Sequence, residues 1–446
     1  MTLRPPPSAR RWLPGAGVLA FRRDPLGTLQ RLAAAQGDVA VARFGTSRVF
    51  LLSHPDLIRD VLVTHNRLFM KGVGLQRAKR LLGEGLLTSE DDFHLRQRRL
   101  AQPAFHHARV AAYGTEMVKC AEATSEGWSS REGPIDVHAD MMRLALAIVG
   151  RTLFGTAVED AADEISRAMT TSMALFQSFS SLPFAALLER LPLPATRRFA
   201  GARARLDAVV FEMIAARRAD PADRGDLLSM LLLAQDDDAA RTRMSDLQLR
   251  DEVMTIFLAG HETTANALAW TWYLLAKHPE VERRLHAEVD ALGSVPLGAG
   301  ALPRLSYTSM VVSESMRLFP PAWVIGRRAL APYHAGGHAI PEGSIVLLSP
   351  YVVHRDARWY PDPERFDPDR WAPDARAGRP RFAYFPFGGG TRICIGEQFA
   401  MMEAVLVLAT LAGRWRLRLH PPHVVEPVAS ITLRPRNGIP MQLERR

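Results

Sequence analysis

Cysteine is almost absent from this chain: Cys120 and Cys394 are the only two in 446 residues. Two thiols exclude a disulfide framework, and they exclude an iron–sulfur cluster, which takes about four ligands. Lysine is nearly as scarce. Lys71, Lys79, Lys119 and Lys277 are the only lysines, so the net charge of +9 is carried mostly by arginine. That skew, with the many alanines, fits GC-rich coding and points only weakly to an acidic partner. No nucleic-acid-binding motif accompanies it, and no nucleic acid is expected. No apolar run reaches the roughly 18 residues of a membrane span. Arg10-Arg11 before Trp12-Leu13 superficially resembles a twin-arginine leader, but Pro14, Gly15, Gly17 and Arg22-Arg23 cut the apolar stretch short. Residues 1–25 therefore read as an extended lead-in of a cytoplasmic protein. Internal repeats and low-complexity segments are missing too.

What is present is an ordinary soluble composition, 47% apolar and 23% charged, with material for a large core. Helical periodicity predicts helices over Asp24–Gln36, Asp56–Val63, most of Phe93–Met230, Thr196–Arg218, Ser245–Lys277 and Tyr307–Phe319. Ser245 with Gln248 three residues on predicts a capping box. Alternation predicts a hairpin of Val39–Phe44 and Arg48–Ser53, short strands within 322–352, and strands at Trp415–Leu419 and Ile431–Leu433. Residues 69–90, with Gly72, Gly74, Gly83 and Gly85, read as an irregular, mobile apolar loop. The fold class expected is mainly α with a small β-rich part, in one large domain spanning 1–446.

Cys394 lies in the stretch Phe385–Ala400, FPFGGGTRICIGEQFA. Gly388, Gly389 and Gly390 permit positive φ and close backbone approach. A helix starting just after Cys394 turns its positive dipole end toward the sulfur and favours thiolate. Gly396 and Ala400 leave room for a flat group. A lone thiol here is a metal ligand or a nucleophile.

This loop resembles the haem-binding signature of the cytochrome P450 family at every fixed position: Phe387, Gly390, Arg392, Cys394 and Gly396. The resemblance implies the cytochrome P450 fold, haem b as cofactor, Cys394 as the axial iron ligand and dioxygen as co-substrate. A second stretch, Ala259-Gly260-His261-Glu262-Thr263-Thr264, resembles the family's oxygen-activation motif. Glycine inside a helix costs about 1 kcal/mol relative to alanine, and threonine hydroxyls compete for backbone carbonyls. Together they predict a local opening of the helix, with Glu262 and Thr263 as an acid–alcohol pair that relays protons.

Glu314 and Arg317 sit three apart on one helix face. By the same resemblance they form a structural triad with Arg370, for whose place Arg365 competes. His94 and Arg98, four apart, resemble the pair that binds the haem propionates, with Arg327 and Arg392 completing the clamp. Position relative to the family implies a substrate pocket from residues 69–87, Phe176, Phe179, Met254, Phe257, Ala259, Ala322, Val324, Ile325 and Ile431. Their apolar character implies a hydrophobic small molecule, such as a terpenoid, fatty acid, steroid or polyketide, to be hydroxylated or epoxidised. No fused flavin is expected, so electrons come from a separate ferredoxin with its reductase or from a flavodoxin, delivered to a monomer. Arg96, Arg99, Arg109 and Arg381 are candidates for that docking. A peroxide-driven peroxygenase and a non-enzymatic haem-thiolate sensor remain as alternatives.

Overall fold

Helices account for most of the computed structural model, and its strands are confined to short ladders. The structure describes residues 16–44, 47–155, 193–220, 222–234, 243–421 and 424–446. The hairpin turn at Gly45-Thr46 and the expected pocket residues Phe176 and Phe179 lie outside the described residues. Two compact units emerge, each assembled from separated stretches of chain.

The first unit takes residues 1–78, 317–365 and 373–394. Its centre is a five-stranded sheet in the order Val39–Phe44, Ser47–Leu52, Ile345–Leu348, Ile325–Ala329, Phe69–Lys71. The expected hairpin forms, antiparallel with Val41 opposite Phe50, and Ser47 joins its second strand opposite Phe44. Because side chains alternate faces along a strand, Val39, Val41, Phe50, Leu52, Val346 and Leu348 share one core. Phe382 and Phe385 belong to that same core, which anchors the chain as it enters the cysteine loop. The lead-in is not wholly extended: Ala16–Arg23 is a helix, and the Phe21 ring packs 5.0 Å from Phe44.

The second unit takes residues 79–316, 366–372 and 395–446. It is built on the 32-residue helix Asp246–Lys277, whose Ser245–Gln248 capping box forms as predicted. The helices Val137–Leu153 and Glu397–Ala412 pack against it. Among the described residues, no helix is long and apolar enough to cross a membrane.

Residues 69–90 are more ordered than expected. Phe69–Lys71 is a strand and Val73–Leu82 a helix. The segment after it is tied to the long helix: Glu84 donates its amide to Asp251 at 2.7 Å, and Leu86 to Glu252 at 3.1 Å. A Cβ on Gly83 would lie 2.0 Å from Asp251, and one on Gly85 would lie 2.2 Å from the Thr255 hydroxyl. These glycines serve close packing, not mobility. The expected strand Ile431–Leu433 is displaced: Pro427–Ala429 pairs with Leu433–Pro435, which leaves Ile431 and Thr432 in the bend between them.

Candidate active site

The cysteine loop is shaped by backbone that only glycine accommodates. Gly388 and Gly390 have φ of 74° and 69°, the left-handed region. A Cβ on Gly390 would sit 1.9 Å from the Leu62 carbonyl oxygen. Gly389 is extended, but a Cβ there would meet the Phe382 ring at 2.5 Å. The loop closes when the Cys394 amide donates to the Phe387 carbonyl at 2.9 Å. The helix Glu397–Ala412 begins three residues later, directly after Gly396.

The two cysteines contrast sharply. Cys120 is buried, and burial pushes its thiol up to about 11, which keeps it protonated and inert. Cys394 is exposed. A structural cysteine packed behind a glycine turn would be buried.

Behind the loop, in the first unit, stands Arg317. Its fully buried guanidinium donates to the main-chain carbonyls of His354 (2.8 Å), Pro363 (2.6 Å) and Arg365 (3.0 Å), and lies over the Tyr360 ring. The His354 ring in turn accepts the Phe385 amide through Nε2 at 3.0 Å and meets the Phe385 ring edge-on. That fixes the first residue of the cysteine stretch. Arg365 therefore contributes a carbonyl, not a guanidinium. The carboxylate partner is Arg370: in the second unit its Nε lies 3.4 Å from Glu314, which also accepts Trp371 Nε1 at 2.9 Å and the Asp367 amide at 3.0 Å. His354 and Trp371 were not predicted, and no local pattern marks the histidine.

The oxygen-activation stretch differs from expectation in one respect: the long helix runs through it unbroken. Gly260 lets the Val137–Leu153 helix approach, since a Cβ there would lie 3.1 Å from Val149. From Leu249 to Trp272 every residue of the long helix is buried except Ala259, Gly260 and Thr263. Spacings of one and four put these three on one side, an open strip of small side chains. Thr263 turns its hydroxyl back to the Ala259 carbonyl at 2.7 Å, the competition predicted for threonine. The Glu262 carboxylate instead accepts from the Thr432 hydroxyl at 2.6 Å. The acid and the alcohol are adjacent, but their hydrogen bonds run in different directions.

Met254 and Phe257 lie on the same long helix. Both are core residues, with Phe257 stacked on Phe154 at 4.3 Å, and at about 100° per residue Phe257 faces roughly opposite Ala259. Ala322, Val324 and Ile325 are half-buried and Ile431 is exposed.

The remaining cationic candidates fall in both units. His94 is buried on the helix Asp91–Ala101, with Ser89 Oγ 3.4 Å from its Nδ1, and Arg98 is half-buried one turn on. Arg327 is buried in the strand Ile325–Ala329, and Arg392 is half-buried in the cysteine loop. Arg109 is paired with Asp223 at 3.5 Å.

A haem fits these residues. Among the described residues, no three of His, Cys, Asp and Glu gather to hold a bare metal ion. The exposed Cys394 thiol would instead suit a metal carried by a macrocycle.

The Cytochrome P450 family model matches residues 5–439. The chain is 44% identical to cyclooctatin synthase of Streptomyces melanosporofaciens over 442 residues, covering 96% of this chain and 95% of the relative. It is 39% identical to pentalenene oxygenase of Streptomyces avermitilis, covering 92% of this chain and 91% of that one. Among solved structures it superposes on the haem domain of cytochrome P450DA with a TM-score of 0.90, at 28% identity and covering 100% and 99% of the two chains. A retinoic acid-bound cyanobacterial cytochrome P450 gives 0.88, at 27% identity and with both chains wholly covered. Glycine loop, exposed thiol, threonine strip and whole-length likeness agree: this chain belongs to the cytochrome P450 family and is a haem-iron monooxygenase.

Proposed function

We propose that the enzyme hydroxylates a cyclic terpenoid, using haem b, dioxygen and electrons from a separate ferredoxin and reductase or flavodoxin, as a cytoplasmic single-domain monomer. The carrying observation is that relatives 39–44% identical along nearly the whole chain are named cyclooctatin synthase, cyclooctat-9-en-7-ol 5-monooxygenase and pentalenene oxygenase. The apolar Ala259, the half-buried Ala322, Val324 and Ile325, and the exposed Ile431 are in keeping with a hydrocarbon ring system.

Cys394 would hold the iron as thiolate, and Arg98, Arg327 and Arg392, with His94, would take the propionates. The haem supplies binding and reductive activation of dioxygen. Overall, one C–H bond, one dioxygen, two electrons and two protons give one alcohol and one water. Glu262 and Thr263 hold and hand on those protons, Thr263 from the open strip and Glu262 from the buried side. Glu314, Arg317 and Arg370 are structural: they fix the segments that brace the loop.

The test is a substrate panel: cyclic sesquiterpene and diterpene hydrocarbons and alcohols, a fatty acid, a steroid and a macrolide precursor. Each is screened by Soret shift, then by turnover with ferredoxin, reductase and NADPH. Terpenoids should shift the spectrum and gain one oxygen atom. Conversion of a fatty acid, steroid or macrolide with no terpenoid converted would overturn the substrate class, and equal turnover with peroxide alone would favour a peroxygenase.

A further inference from the structure

The bond from Thr432 to Glu262 is the inner end of a longer buried chain, all within the second unit. Thr432 Oγ1 donates to Glu262 Oε1 at 2.6 Å. The same oxygen accepts Asn266 Nδ2 at 3.1 Å. Asn266 Oδ1 lies 2.9 Å from His138 Nε2 on the neighbouring helix. Thr432, Asn266 and Glu262 are buried, and His138 is half-buried at the outer end.

The donors all point one way. An amide oxygen only accepts, so His138 must carry its proton on Nε2. The amide nitrogen then donates to Thr432, which leaves the threonine proton for Glu262. A hydroxyl already accepting a hydrogen bond is a stronger donor. The middle member is an amide, which passes polarisation along but not protons, so the chain orients and does not conduct.

We propose that Thr432 is a positioning residue for the Glu262 carboxylate, with Asn266 and His138 fixing the direction in which its hydroxyl donates. Glu262 is thereby held as an acceptor, turned away from Thr263, between proton transfers. The hairpin bend that carries Thr432 has a local reason: the Ser430 amide bonds the Thr432 carbonyl at 3.0 Å. The charged and titratable groups around the chain are few. Asp136 and Glu262 favour the protonated form of His138, while Arg434 and above all burial oppose it. His261, next to Glu262, is buried with Nδ1 on the Phe257 carbonyl.

The inference rests on Glu262 serving the reaction as proposed above, so the test has one arm that depends on turnover and one that does not. Thr432→Val removes the hydroxyl at constant shape, and Thr432→Ser keeps it. In the valine variant the fraction of NADPH electrons recovered in product should fall roughly tenfold, the scale for losing one hydrogen bond to a charged group. The acidic limb of its kcat profile should move up by about one pH unit. Serine should restore both. Independently, the His138 imidazole is titrated by NMR in the reduced, carbon monoxide-bound holoprotein. Glu262→Gln and Asn266→Leu each remove a group that favours its protonation, so His138 should titrate lower in both. Wild-type coupling and profile in Thr432→Val overturn the proposal, as does failure of serine to restore them, which would make the role one of methyl packing. If Thr432→Val does not fold, the titration decides: an unmoved His138 overturns the chain. A wrong substrate class would show instead as wild-type inactivity on terpenoids with the His138 shifts intact.

Discussion

Three successive glycines precede the cysteine, and the structure gives each a different reason to be glycine, so alanine should fail at each to a different degree. At Gly388 the only obstacle is backbone: φ is 74°, and the nearest atom to a new Cβ is Ile325 Cδ1 at 3.6 Å, ordinary contact. Left-handed backbone costs an L-residue about 1–2 kcal/mol, offset by about 0.4–1 kcal/mol from a less flexible unfolded chain. The net loss expected for Gly388→Ala is about 1 kcal/mol. At Gly389 the backbone is extended and unstrained, but the Cβ lies 2.5 Å from Phe382 Cε1. Phe382 is itself buried in the sheet core, so this is overpacking, at about 1–3 kcal/mol. Gly390 has both faults. Its φ is 69°, and its Cβ would lie 1.9 Å from the Leu62 carbonyl oxygen, over an ångström closer than real Cβ contacts come. That oxygen is backbone in the turn Asp60–Thr64 and cannot rotate away. Gly390→Ala belongs with the rare substitutions that cost more than about 4 kcal/mol. Urea midpoints followed by tryptophan fluorescence measure the order, and the reduced carbon monoxide spectrum reports whether the thiolate is still presented. Equal losses at the three positions, or Gly390→Ala as mild as Gly388→Ala, would refute the loop geometry.

Two further predictions concern buried acids. Glu403 lies wholly buried on the helix after the cysteine loop, and burial pushes its carboxyl well above the usual range, with only the Thr264 hydroxyl working against this. Above about pH 4.3 the unfolded chain releases that proton while the folded chain keeps it, so stability falls as pH rises, by up to about 1.4 kcal/mol per unit. Glu403→Gln should therefore raise Tm at pH 7–8 and lose the advantage near pH 4; a gain independent of pH would show that Glu403 is ionised in the fold. Glu314→Gln keeps the shape but leaves the Arg370 guanidinium, 9% exposed, without its carboxylate. A loss of about 3 kcal/mol in urea unfolding is expected, and a loss below 1 kcal/mol would make the pair incidental.

The cysteine loop was legible because its constraint is local: glycine where φ must be positive, and a thiol just before a helix. The capping box and the hairpin were legible for the same reason. The helix Val73–Leu82 was not, because the glycines around it resemble those of a mobile loop; Gly83 and Gly85 are small so that Asp251 and Thr255 can come close. The stacking of Phe257 on Phe154 was not legible, because nearness in sequence to the oxygen-activation stretch says nothing of which helix face a residue occupies. Asn266, one turn past Glu262, carried a faint signal in its spacing. Thr432 carried none, since 170 residues separate it from the carboxylate it holds. His354 and Glu403 are likewise set by tertiary contacts alone.

Arg317 grips its neighbours by their carbonyls, and a carbonyl is the same in every amino acid. The side chains of Pro363 and Arg365 take no part in that grip, so mutation can rewrite them while the brace behind the cysteine loop endures. His354 is the exception, since its ring is also engaged. A library randomised over residues 361–365 should therefore tolerate wide variation in Pro363 and Arg365, while position 354 stays intolerant, which makes this stretch a place to alter surface charge near the cysteine loop without re-engineering its support.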